Sequence, residues 1–379
     1  MKIGIDARFF GPIGKGLGRY TQKLIKNLEL IDNKNQYVIF LRKENWDHYT
    51  PVNDNFKKVL ADYRWYTLKE QIFIPLIIRK HNIDVMHFPH FNIPILYRGK
   101  FIATIHDLIL IKYPTKKATT LDPIIYKLKY WGYKKVINSA VRRAEKIITV
   151  SNYTKNELVE YFRINENKVA VTYEACDGVE SGQLMIPDRG FLKEYGINKQ
   201  YLLYVGNAYP HKNLETLLDV FDEFAKKTNN KYQLVLVGKK DYFYERLIEY
   251  AKEKGLTKNL DVVFFGFATE KQLADLYRSA LLYIFPSLFE GFGLPPLEAM
   301  SYGLPVLSSD ASCLPEILGE AAKYFNPKDK EDILNKINLI IESYDLRTNL
   351  IEKGFKKIKS YSWEKCAQET LAVYNSIEK

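Results

Sequence analysis

Short runs of β-branched and aliphatic residues alternate with longer stretches of helical periodicity along almost the whole chain. Runs such as Leu234–Val237 contain no polar residue, which is typical of strands buried on both faces of a sheet. Strands that alternate with helices form βαβ units, so this pattern predicts parallel sheets of the α/β class with helices on both faces. The predicted strands are Lys2–Asp6, Tyr37–Leu41, Asp84–His87, Phe101–Ile105, Ile147–Val150, Val169–Tyr173, Tyr201–Val205, Gln233–Val237, Val262–Phe265, Leu281–Phe285 and Pro305–Ser308.

The alternation breaks at Gly178–Gly190, where turn-forming residues follow one another without periodicity. This segment is predicted to be a linker, and 379 residues suit two domains of roughly 100–200 residues each. We expect a Rossmann-like domain over residues 1–180 and a second one over 191–357. Two such domains present the carboxyl ends of their strands to a shared crevice, so the loops after strands are the predicted ligand site.

The basic composition limits the class of partner. Lysine and arginine number 56 against 45 aspartates and glutamates, which gives a net charge of +11, and 14% of the residues are aromatic. A basic, aromatic-rich surface suits nucleic acid, phosphorylated metabolites or acidic lipid headgroups. An apolar fraction of 46% excludes a disordered chain.

Three further features predict a cytoplasmic protein. The cysteines Cys176, Cys313 and Cys366 form no C-x-x-C pair, which argues against a disulfide framework or a zinc site. Asp6 and Arg8 interrupt the segment in which a signal peptide needs an apolar core. No apolar run approaches the roughly 18 residues of a membrane span.

Two loops between a strand and a helix carry candidate anion-binding groups. Gly11–Tyr20 contains four glycines that let backbone amides approach a phosphate or sugar, although a plain turn is the alternative. Lys212 follows the strand Tyr201–Val205, where a point charge can neutralise a diphosphate. The alternative there is a solvated lysine, with Asn213 capping the next helix.

The most specific segment is Pro286–Gly303. It predicts a glycine-rich turn and a short helix from Pro295 to Gly303, with Glu290 before the turn and Glu298 in the first helical turn. Two carboxylates that bracket an anion-binding turn suit recognition of hydroxyls on either side of a diphosphate, a ribose at one end and a hexose at the other. The alternative makes Glu298 a partner of the helix dipole and Glu290 an exposed acid.

The histidines leave more than one interpretation open. His106 follows the strand Phe101–Ile105 and is a candidate acid, base or sugar contact, or a hydrogen-bonded structural residue. His87 and His90 suggest a metal pair, but no third ligand accompanies them. The chain contains no D-x-D sequence, the carboxylate pair with which metal-dependent sugar-nucleotide transferases typically hold their ion, so a metal-free reaction is predicted.

With these segments in order, the chain resembles the retaining family 4 glycosyltransferases of GT-B fold over nearly its whole length. The resemblance implies two Rossmann-like domains that face each other across a cleft, with a final helix over residues 358–379 that crosses back to the amino-terminal domain. The Pro295–Pro296 pair and the Asp84–Pro89 segment are most similar to bacterial mannosyltransferase-like members that build O-antigen or capsule. The matching motifs are Asp6–Arg8, Gly16–Thr21, His106–Leu108, Val150–Tyr153, Pro210–Leu214, Glu290 with Glu298 in an E-x7-E pattern, and Tyr361–Glu364.

The resemblance implies a role for each matching residue. Lys212 would bind the donor diphosphate, Glu290 the hexose and Glu298 the ribose, while His106 would contact the donor sugar near the reaction centre. His106, Lys212 and Glu290 are therefore the candidate catalytic residues. The remaining groups expected to meet the phosphate or sugar through the backbone are Gly16, Phe292, Gly293 and Leu294.

The resemblance also implies the donor, with one departure. GDP-mannose is the expected donor, a UDP-hexose is the alternative, and no metal cofactor is expected. Many members carry an arginine shortly after the glycine of the diphosphate motif, where this chain has Asn207 after Gly206. A second positive charge would then be missing or come from Arg19 or Lys15.

A basic segment suggests a membrane partner. Between Tyr126 and Lys146 seven basic residues stand against one acid, with aromatic residues interleaved at near-helical spacing. A basic amphipathic helix suits an anionic membrane surface, and a solvated helix over the core is the alternative. A polyprenyl-diphosphate-linked glycan acceptor at the inner face of a membrane would explain the segment. The expected surface residues are Lys127, Lys129, Trp131, Lys134 and Lys135.

Other functions remain open at this point. A sugar-nucleotide epimerase or a starch- or sucrose-type synthase shares the expected fold, and a UDP-sugar-dependent transferase shares the chemistry. A basic nucleic-acid-binding protein belongs to a different class, but the sequence contains no recognised nucleic-acid motif, so no nucleic-acid partner is expected. A non-catalytic partner subunit would have no use for Lys212, Glu290 and Glu298 together.

Overall fold

Two parallel β-sheets form the framework of the chain in a computed structural model, which describes residues 1–114, 122–177, 189–257 and 261–377. Of the predicted linker Gly178–Gly190, residues 178–188 lie outside the described part. The described residues group into two compact units. The first takes its residues from Met1–Leu108, Leu121–Glu174 and Tyr361–Lys379, and the second from Ile109–Thr120 and Ala175–Ser360.

The strands follow the predicted pattern closely, and the expected α/β architecture of two Rossmann-like sheets is confirmed. Strands β1–β7 belong to the first unit and β8–β13 to the second. In chain order they are β1 (Lys2–Asp6), β2 (Gln36–Leu41), β3 (Phe56–Leu60), β4 (Val85–Phe88), β5 (Phe101–Ile105), β6 (Lys146–Thr149), β7 (Val169–Val171), β8 (Gln200–Val205), β9 (Tyr232–Val237), β10 (Val262–Gly266), β11 (Leu282–Phe285), β12 (Val306–Ser309) and β13 (Ala322–Phe325).

Helices separate most of these strands, as a βαβ pattern requires. Eight of the described helices begin at a Ser, Thr or Asp side chain that accepts a backbone N–H of the first turn. In chain order the helices are α1 (Lys15–Ile31), α2 (Leu68–Arg79), α3 (Ile109–Lys112), α4 (Pro123–Arg143), α5 (Asn152–Phe162), α6 (Arg189–Glu194), α7 (Leu214–Lys227), α8 (Tyr242–Glu253), α9 (Glu270–Ser279), α10 (Leu294–Ser301), α11 (Leu314–Leu318), α12 (Lys330–Glu342), α13 (Tyr344–Ile358) and α14 (Trp363–Asn375).

The two sheets repeat one strand order. Over the described residues, the first sheet runs β3-β2-β1-β4-β5-β6-β7 and the second runs β10-β9-β8-β11-β12-β13, with every pairing parallel. The direction of winding reverses between β1 and β4 in the first sheet and between β8 and β11 in the second. Ligands of open α/β sheets bind at such a reversal, beyond the carboxyl ends of the strands. The fold therefore directs attention to the loops after β1, β4, β8 and β11.

The last helix, α14, packs within the first unit. The ring of Trp363 lies 6.1 Å from that of Tyr20 on α1, and the hydroxyl of Tyr374 is 2.6 Å from Nδ1 of His87 on β4. Both Tyr374 and His87 are fully buried. A segment from the end of the chain thus completes the core of the unit that contains its beginning.

Candidate active site

The two loops at the reversal point of the second sheet meet each other. Lys212 ends a short turn, Pro210–Lys212, that follows β8, and Glu290 lies in the loop that follows β11. The backbone N–H of Leu288 donates to the carbonyl of His211 at 2.7 Å, which joins the two loops. The strand order therefore brings together two residues that are 78 positions apart.

Lys212 and Glu290 form an ion pair, with Nζ 2.5 Å from Oε1. Their side chains are only 12% and 10% exposed, so each charge has lost most of its hydration and depends on a partner. The alternative interpretation of Glu290 as an exposed acid is wrong, because the residue is only 8% exposed. The pair is charged, largely shielded and placed where α/β sheets bind ligands.

Side chains from the loop after β12 hold the Glu290 loop in place. The N–H of Glu290 donates to Oγ of Ser312 at 2.9 Å, and the thiol of Cys313 donates to the carbonyls of Glu290 and Phe292 at 3.3 Å. Burial raises the pKa of the Cys313 thiol, which keeps it a neutral donor. Sequence reasoning missed Ser312 and Cys313, because no local pattern shows which loop they will contact.

Gly293 ends this loop and starts α10. Its φ of +93° favours glycine, and a Cβ there would lie 2.8 Å from the side chain of Leu314. As a glycine, the N-cap residue Gly293 offers no side chain to cap α10, and Pro295 and Pro296 have no N–H. The start of α10 is thus a positive dipole end whose donors are the backbone amides near Gly293, the kind of group that binds an anion.

Two sequence expectations about these helices are wrong. Glu298 is the fifth residue of α10, not part of its first turn, because the helix already begins at Leu294. It is half-buried. Asn213 occupies the N-cap position of α7, but its left-handed conformation points Nδ2 at the carbonyl of Pro327, 2.8 Å away, so its side chain does not cap the helix.

Asn207 contributes no charge to the loop after β8. Its carbonyl accepts the hydroxyl of Tyr204 at 2.8 Å, and its Oδ1 accepts the N–H of Tyr209 at 3.3 Å. The residue shapes the turn that leads to Lys212. Within this loop, Lys212 and not Asn207 supplies the positive charge.

In the first unit, the glycine-rich segment after β1 packs against the beginning of α1, which contains Gly16 and Gly18. The N–H of Gly11 donates to the carbonyl of Gly18 at 3.2 Å, and a Cβ on Gly18 would lie 2.0 Å from the carbonyl oxygen of Gly11. A Cβ on Gly16 would meet nothing within 4 Å. Gly18 is therefore required for packing, whereas Gly16 faces open space at the start of α1, where a ligand can approach.

A buried ion cluster underlies the glycine-rich loop. Arg8 is fully buried; its Nε and Nη2 lie 2.7 Å from the two carboxylate oxygens of Asp6, and Nη2 is also 2.7 Å from Oε1 of Glu70. Its Nη1 donates to the carbonyl of Tyr63 at 3.1 Å. Burial lowers the pKa of Arg8, but the two carboxylates outweigh it and leave it raised. The sequence indicated Asp6 and Arg8 but not Glu70.

His106 has both ring nitrogens engaged within the first unit. Nδ1 lies 3.0 Å from Oε1 of Glu174, and Nε2 lies 3.0 Å from the carbonyl oxygen of Pro89. Burial lowers the pKa of His106, but the hydrogen bond and charge of Glu174 outweigh it and leave the pKa raised. With two acceptors opposite two ring nitrogens, the imidazolium fits and has no lone pair for a base. Sequence reasoning missed Glu174.

The two histidines of the possible metal pair differ in exposure, since His87 is fully buried and His90 is partly exposed. His87 hydrogen-bonds Tyr374 and Oγ1 of Thr104, and His90 lies 4.0 Å from the ring of Phe91. Burial lowers the pKa of each to about 3. In the described part of the chain, no group of three or more His, Cys, Asp or Glu side chains could hold a metal ion.

The basic helix α4 divides into two parts. Ile137 and Val141 are buried against the first unit, whereas Leu128 and Trp131 are 65% and 59% exposed. Nζ of Lys135 lies 3.7 Å above the Trp131 ring. Among the described residues, no helix is both long enough and apolar enough to cross a membrane.

Comparison with known proteins identifies both halves. The profile "Glycosyltransferase Family 4" matches residues 14–177, and "Glycosyl transferases group 1" matches residues 191–357. The chain is 26% identical over 377 residues to the O-antigen chain mannosyltransferase B of Escherichia coli, covering 95% of each chain. It is also 26% identical over 363 residues to the O-antigen chain mannosyltransferase RfbU of Salmonella typhimurium, covering 88% of this chain and 93% of that one.

Solved structures support the same fold. Sucrose-phosphate synthase from Thermosynechococcus elongatus is similar with a TM-score of 0.74 and 19% identity, covering 99% of this chain and 98% of that one. WaaG, a glycosyltransferase of lipopolysaccharide biosynthesis, is similar with a TM-score of 0.74 and 14% identity over all of both chains. At these identities the likeness establishes the fold alone, which is that of the GT-B glycosyltransferases.

Proposed function

The chain belongs to the GT-B glycosyltransferases that combine a family 4 half with a group 1 half, and from this premise we propose that it transfers mannose from GDP-mannose to a growing glycan. The two O-antigen mannosyltransferases that align along nearly the whole chain support this sugar. The observation that carries the proposal is the Lys212–Glu290 pair at the reversal point of the second sheet, in the loops that lead to Lys212 and to the start of α10. A UDP-hexose is the second candidate donor.

The pair would work by exchanging partners. A donor diphosphate that reaches Lys212 replaces the carboxylate of Glu290, which is then free to accept hydrogen bonds from the hydroxyls of the hexose. Cleavage of the anomeric bond builds negative charge on the departing diphosphate, and preorganised donors that meet this charge lower the barrier. Lys212 supplies one such donor. The backbone amides of Phe292, Gly293 and Leu294 supply others.

The remaining residues would bind the rest of the donor. Glu298, half-buried on α10, would hold the ribose, and the amide near Gly16 would approach the phosphate. His106 would contribute a fixed positive charge near the sugar, and a hydrogen bond from its ring would require exchange with Glu174 or Pro89. In the retaining reaction, the acceptor hydroxyl attacks from the face that the diphosphate leaves, and the diphosphate takes the proton.

We propose that this chemistry needs no divalent metal and that the acceptor is a lipid-linked glycan at an anionic membrane surface. The absence of a D-x-D sequence supports the first part. The exposed part of α4 supports the second, because cations beside an interfacial aromatic ring suit lipid headgroups. The residues assigned to this contact are Lys127, Lys129, Trp131, Lys134 and Lys135.

A product assay tests the function. The purified chain is incubated with GDP-mannose, UDP-glucose or UDP-GlcNAc, with EDTA present, in mixtures with and without a polyprenyl-diphosphate-linked glycan. The proposal expects acceptor-dependent release of GDP and a product in which the anomeric configuration of the donor is retained. Consumption of donor without acceptor would indicate an epimerase, and activity only with added metal would contradict the metal-free reaction.

A further inference from the structure

Helix α2 is apolar on both of its faces. Ile74 and Ile78 are buried in the first unit, whereas Leu68, Ile72 and Leu76 repeat every four residues on the outside and are 84%, 50% and 50% exposed. A helix that is hydrophobic all round is normally covered on all sides. The outer face of α2 therefore calls for a covering partner.

The charges around this face identify the kind of partner. The exposed charged residues on α2 and directly after it are Lys69, Arg79 and Lys80, all cationic. The one acid of the helix, Glu70, is buried and paired with Arg8. The cores of protein interfaces are depleted of lysine, and a second copy of the same face would place like charges together. Exposed apolar side chains whose charged neighbours are all cationic match an anionic lipid surface.

The segment 91–100 links α2 to α4. The N–H of Ile95 donates to Oε1 of Gln71 on α2 at 2.7 Å, and Arg143 on α4 donates to the carbonyl of Ile95 at 3.0 Å. The ring of Phe91 lies 4.8 Å from that of Tyr133 on α4. The same segment exposes apolar and basic side chains, namely Ile95, Leu96, Arg98 and Lys100.

This composition continues across all three segments. Residues 71–79, 91–100 and 123–143 contain no aspartate or glutamate. On α4 the exposed side chains include Ile124, Leu128 and Trp131 among lysines. The sequence pattern of α4 indicated only a part of this surface, because α2 carries few charges and is typical of a core helix.

We propose that α2, residues 91–100 and the first half of α4 form one lipid-binding surface, the α2–α4 surface, and that α2 is its inserting element. Leu68, Ile72 and Leu76 enter the boundary between headgroups and acyl chains of an anionic leaflet. The lysines and arginines meet the lipid phosphates. The biological setting, a lipid-linked acceptor, rests on the proposed function, but binding to lipid does not.

Vesicle binding tests the surface. We would compare sedimentation with phosphatidylcholine vesicles that contain or lack phosphatidylglycerol. The triple variant Leu68→Ser, Ile72→Ser, Leu76→Ser changes residues that are at least half exposed, so the protein should remain folded, which its melting temperature checks. Leu30→Ser and Leu339→Ser, which change exposed leucines elsewhere on the chain, are matched controls.

The proposal expects the triple variant to bind anionic vesicles at least about tenfold more weakly than the parent, since three inserted side chains contribute strongly to interfacial binding. The two control variants should bind as the parent does. The triple variant should also keep its activity on a detergent-free, water-soluble acceptor.

Three results would overturn the proposal: unchanged vesicle binding by the triple variant, no binding of the parent to anionic vesicles, or loss of a dimer by the triple variant without lipid. A nucleotide-induced rise in melting temperature, measured in the same preparations, tests donor binding independently. If the nucleotide still raises the melting temperature but one of the three results is found, the proposed function stands and the proposal of the α2–α4 surface is wrong.

Discussion

The two units each contain an ion cluster beside the reversal point of a sheet, and the clusters differ in how many partners their cation has. In the first unit, Arg8 is enclosed by Asp6, Glu70 and a backbone carbonyl, and it is fully buried. In the second, Glu290 is the one carboxylate within ion-pair distance of Lys212 in the described part of the chain, and both side chains keep some exposure.

This difference separates a structural cluster from an exchangeable one. Removal of one member of a closed, buried cluster leaves an uncompensated charge inside the protein, which costs stability. A cation with a single partner at the edge of the solvent can change that partner when a diphosphate arrives, which favours binding and catalysis. Similar residue types therefore hold a loop in one unit and are free to serve a ligand in the other.

The largest effect is expected from breaking the closed cluster. Arg8→Met leaves Asp6 and Glu70 buried without a cation, and we expect the free energy of unfolding to fall by about 3–5 kcal/mol. Urea unfolding followed by circular dichroism measures this change. Lys227→Met, which removes an exposed partner of Glu223, is the control and should change stability by less than about 1 kcal/mol. A variant of Arg8 as stable as the parent would show that the cluster is not structural.

Breaking the exchangeable pair of Lys212 and Glu290 should lower catalytic activity. Lys212→Ala removes the cation that meets the leaving diphosphate, and we expect kcat/KM to fall by at least about 100-fold. Lys226→Ala on α7, which removes an exposed partner of Asp222, is the control and should keep full activity. Circular dichroism at the assay temperature confirms that both variants are folded. Full activity in the Lys212 variant would contradict the assigned role.

A third ion pair, His106 with Glu174, adds a pH-dependent case to the comparison, because His106 can lose its charge. Because the pKa of His106 is raised in the folded protein, its pairing stabilises the protein fully below the unfolded pKa of 6.5 and less as the pH rises through the folded pKa. Glu174→Gln should therefore lower the free energy of unfolding by about 1.5–3 kcal/mol at about pH 5.5 and by much less at about pH 9. An equal loss at both values would exclude a charged His106.

The NMR titration of the same variant gives an independent check. The pKa of His106 should be lower in Glu174→Gln than in the parent, because the carboxylate that favours the imidazolium has been replaced by a neutral amide. His48, whose side chain lies outside this cluster, serves as the internal reference. An unchanged pKa of His106 would mean that Glu174 does not control its protonation.

The smallest effect should come from the glycine-rich loop. Gly16→Ala meets no atom within 4 Å, so stability should stay within about 1 kcal/mol of the parent or rise slightly through helix propensity. Donor KM should rise, by roughly tenfold, if a phosphate or sugar approaches this amide. Gly18→Ala places its methyl group against the carbonyl of Gly11 and should unfold more easily, which separates packing from ligand approach. An unchanged KM in the Gly16 variant would remove Gly16 from the site.

The sequence predicted the central strands of both sheets because they are continuous and apolar, but it missed β3 and β13. Both are edge strands, and lysines interrupt their apolar pattern, as is usual for strands with one neighbour. The other two edge strands, β7 and β10, were predicted because no charged residue interrupts their apolar runs.

The candidate site was also predictable only in part, where its residues stand in local sequence motifs. Lys212 and Glu290 stand in local motifs and could be found in the sequence, although the roles assigned to them remain proposals. Their supporting partners, such as Ser312, Glu70 and Glu174, come from distant segments, and their pairing depends on the strand order. The position of Glu298 within its helix was also mispredicted. It lies beyond the first turn because α10 starts one residue earlier than expected.

The most direct test of the central claim is a thermal-shift comparison of the parent, Lys212→Ala and Lys226→Ala with GDP, UDP and ADP in the presence of EDTA. A ligand that binds the native state raises the melting temperature. We predict a rise with GDP for the parent and for Lys226→Ala, and no rise for a folded Lys212→Ala. No rise with any nucleotide in the parent, or an equal rise in the Lys212 variant, would contradict a donor site built on the exchangeable pair.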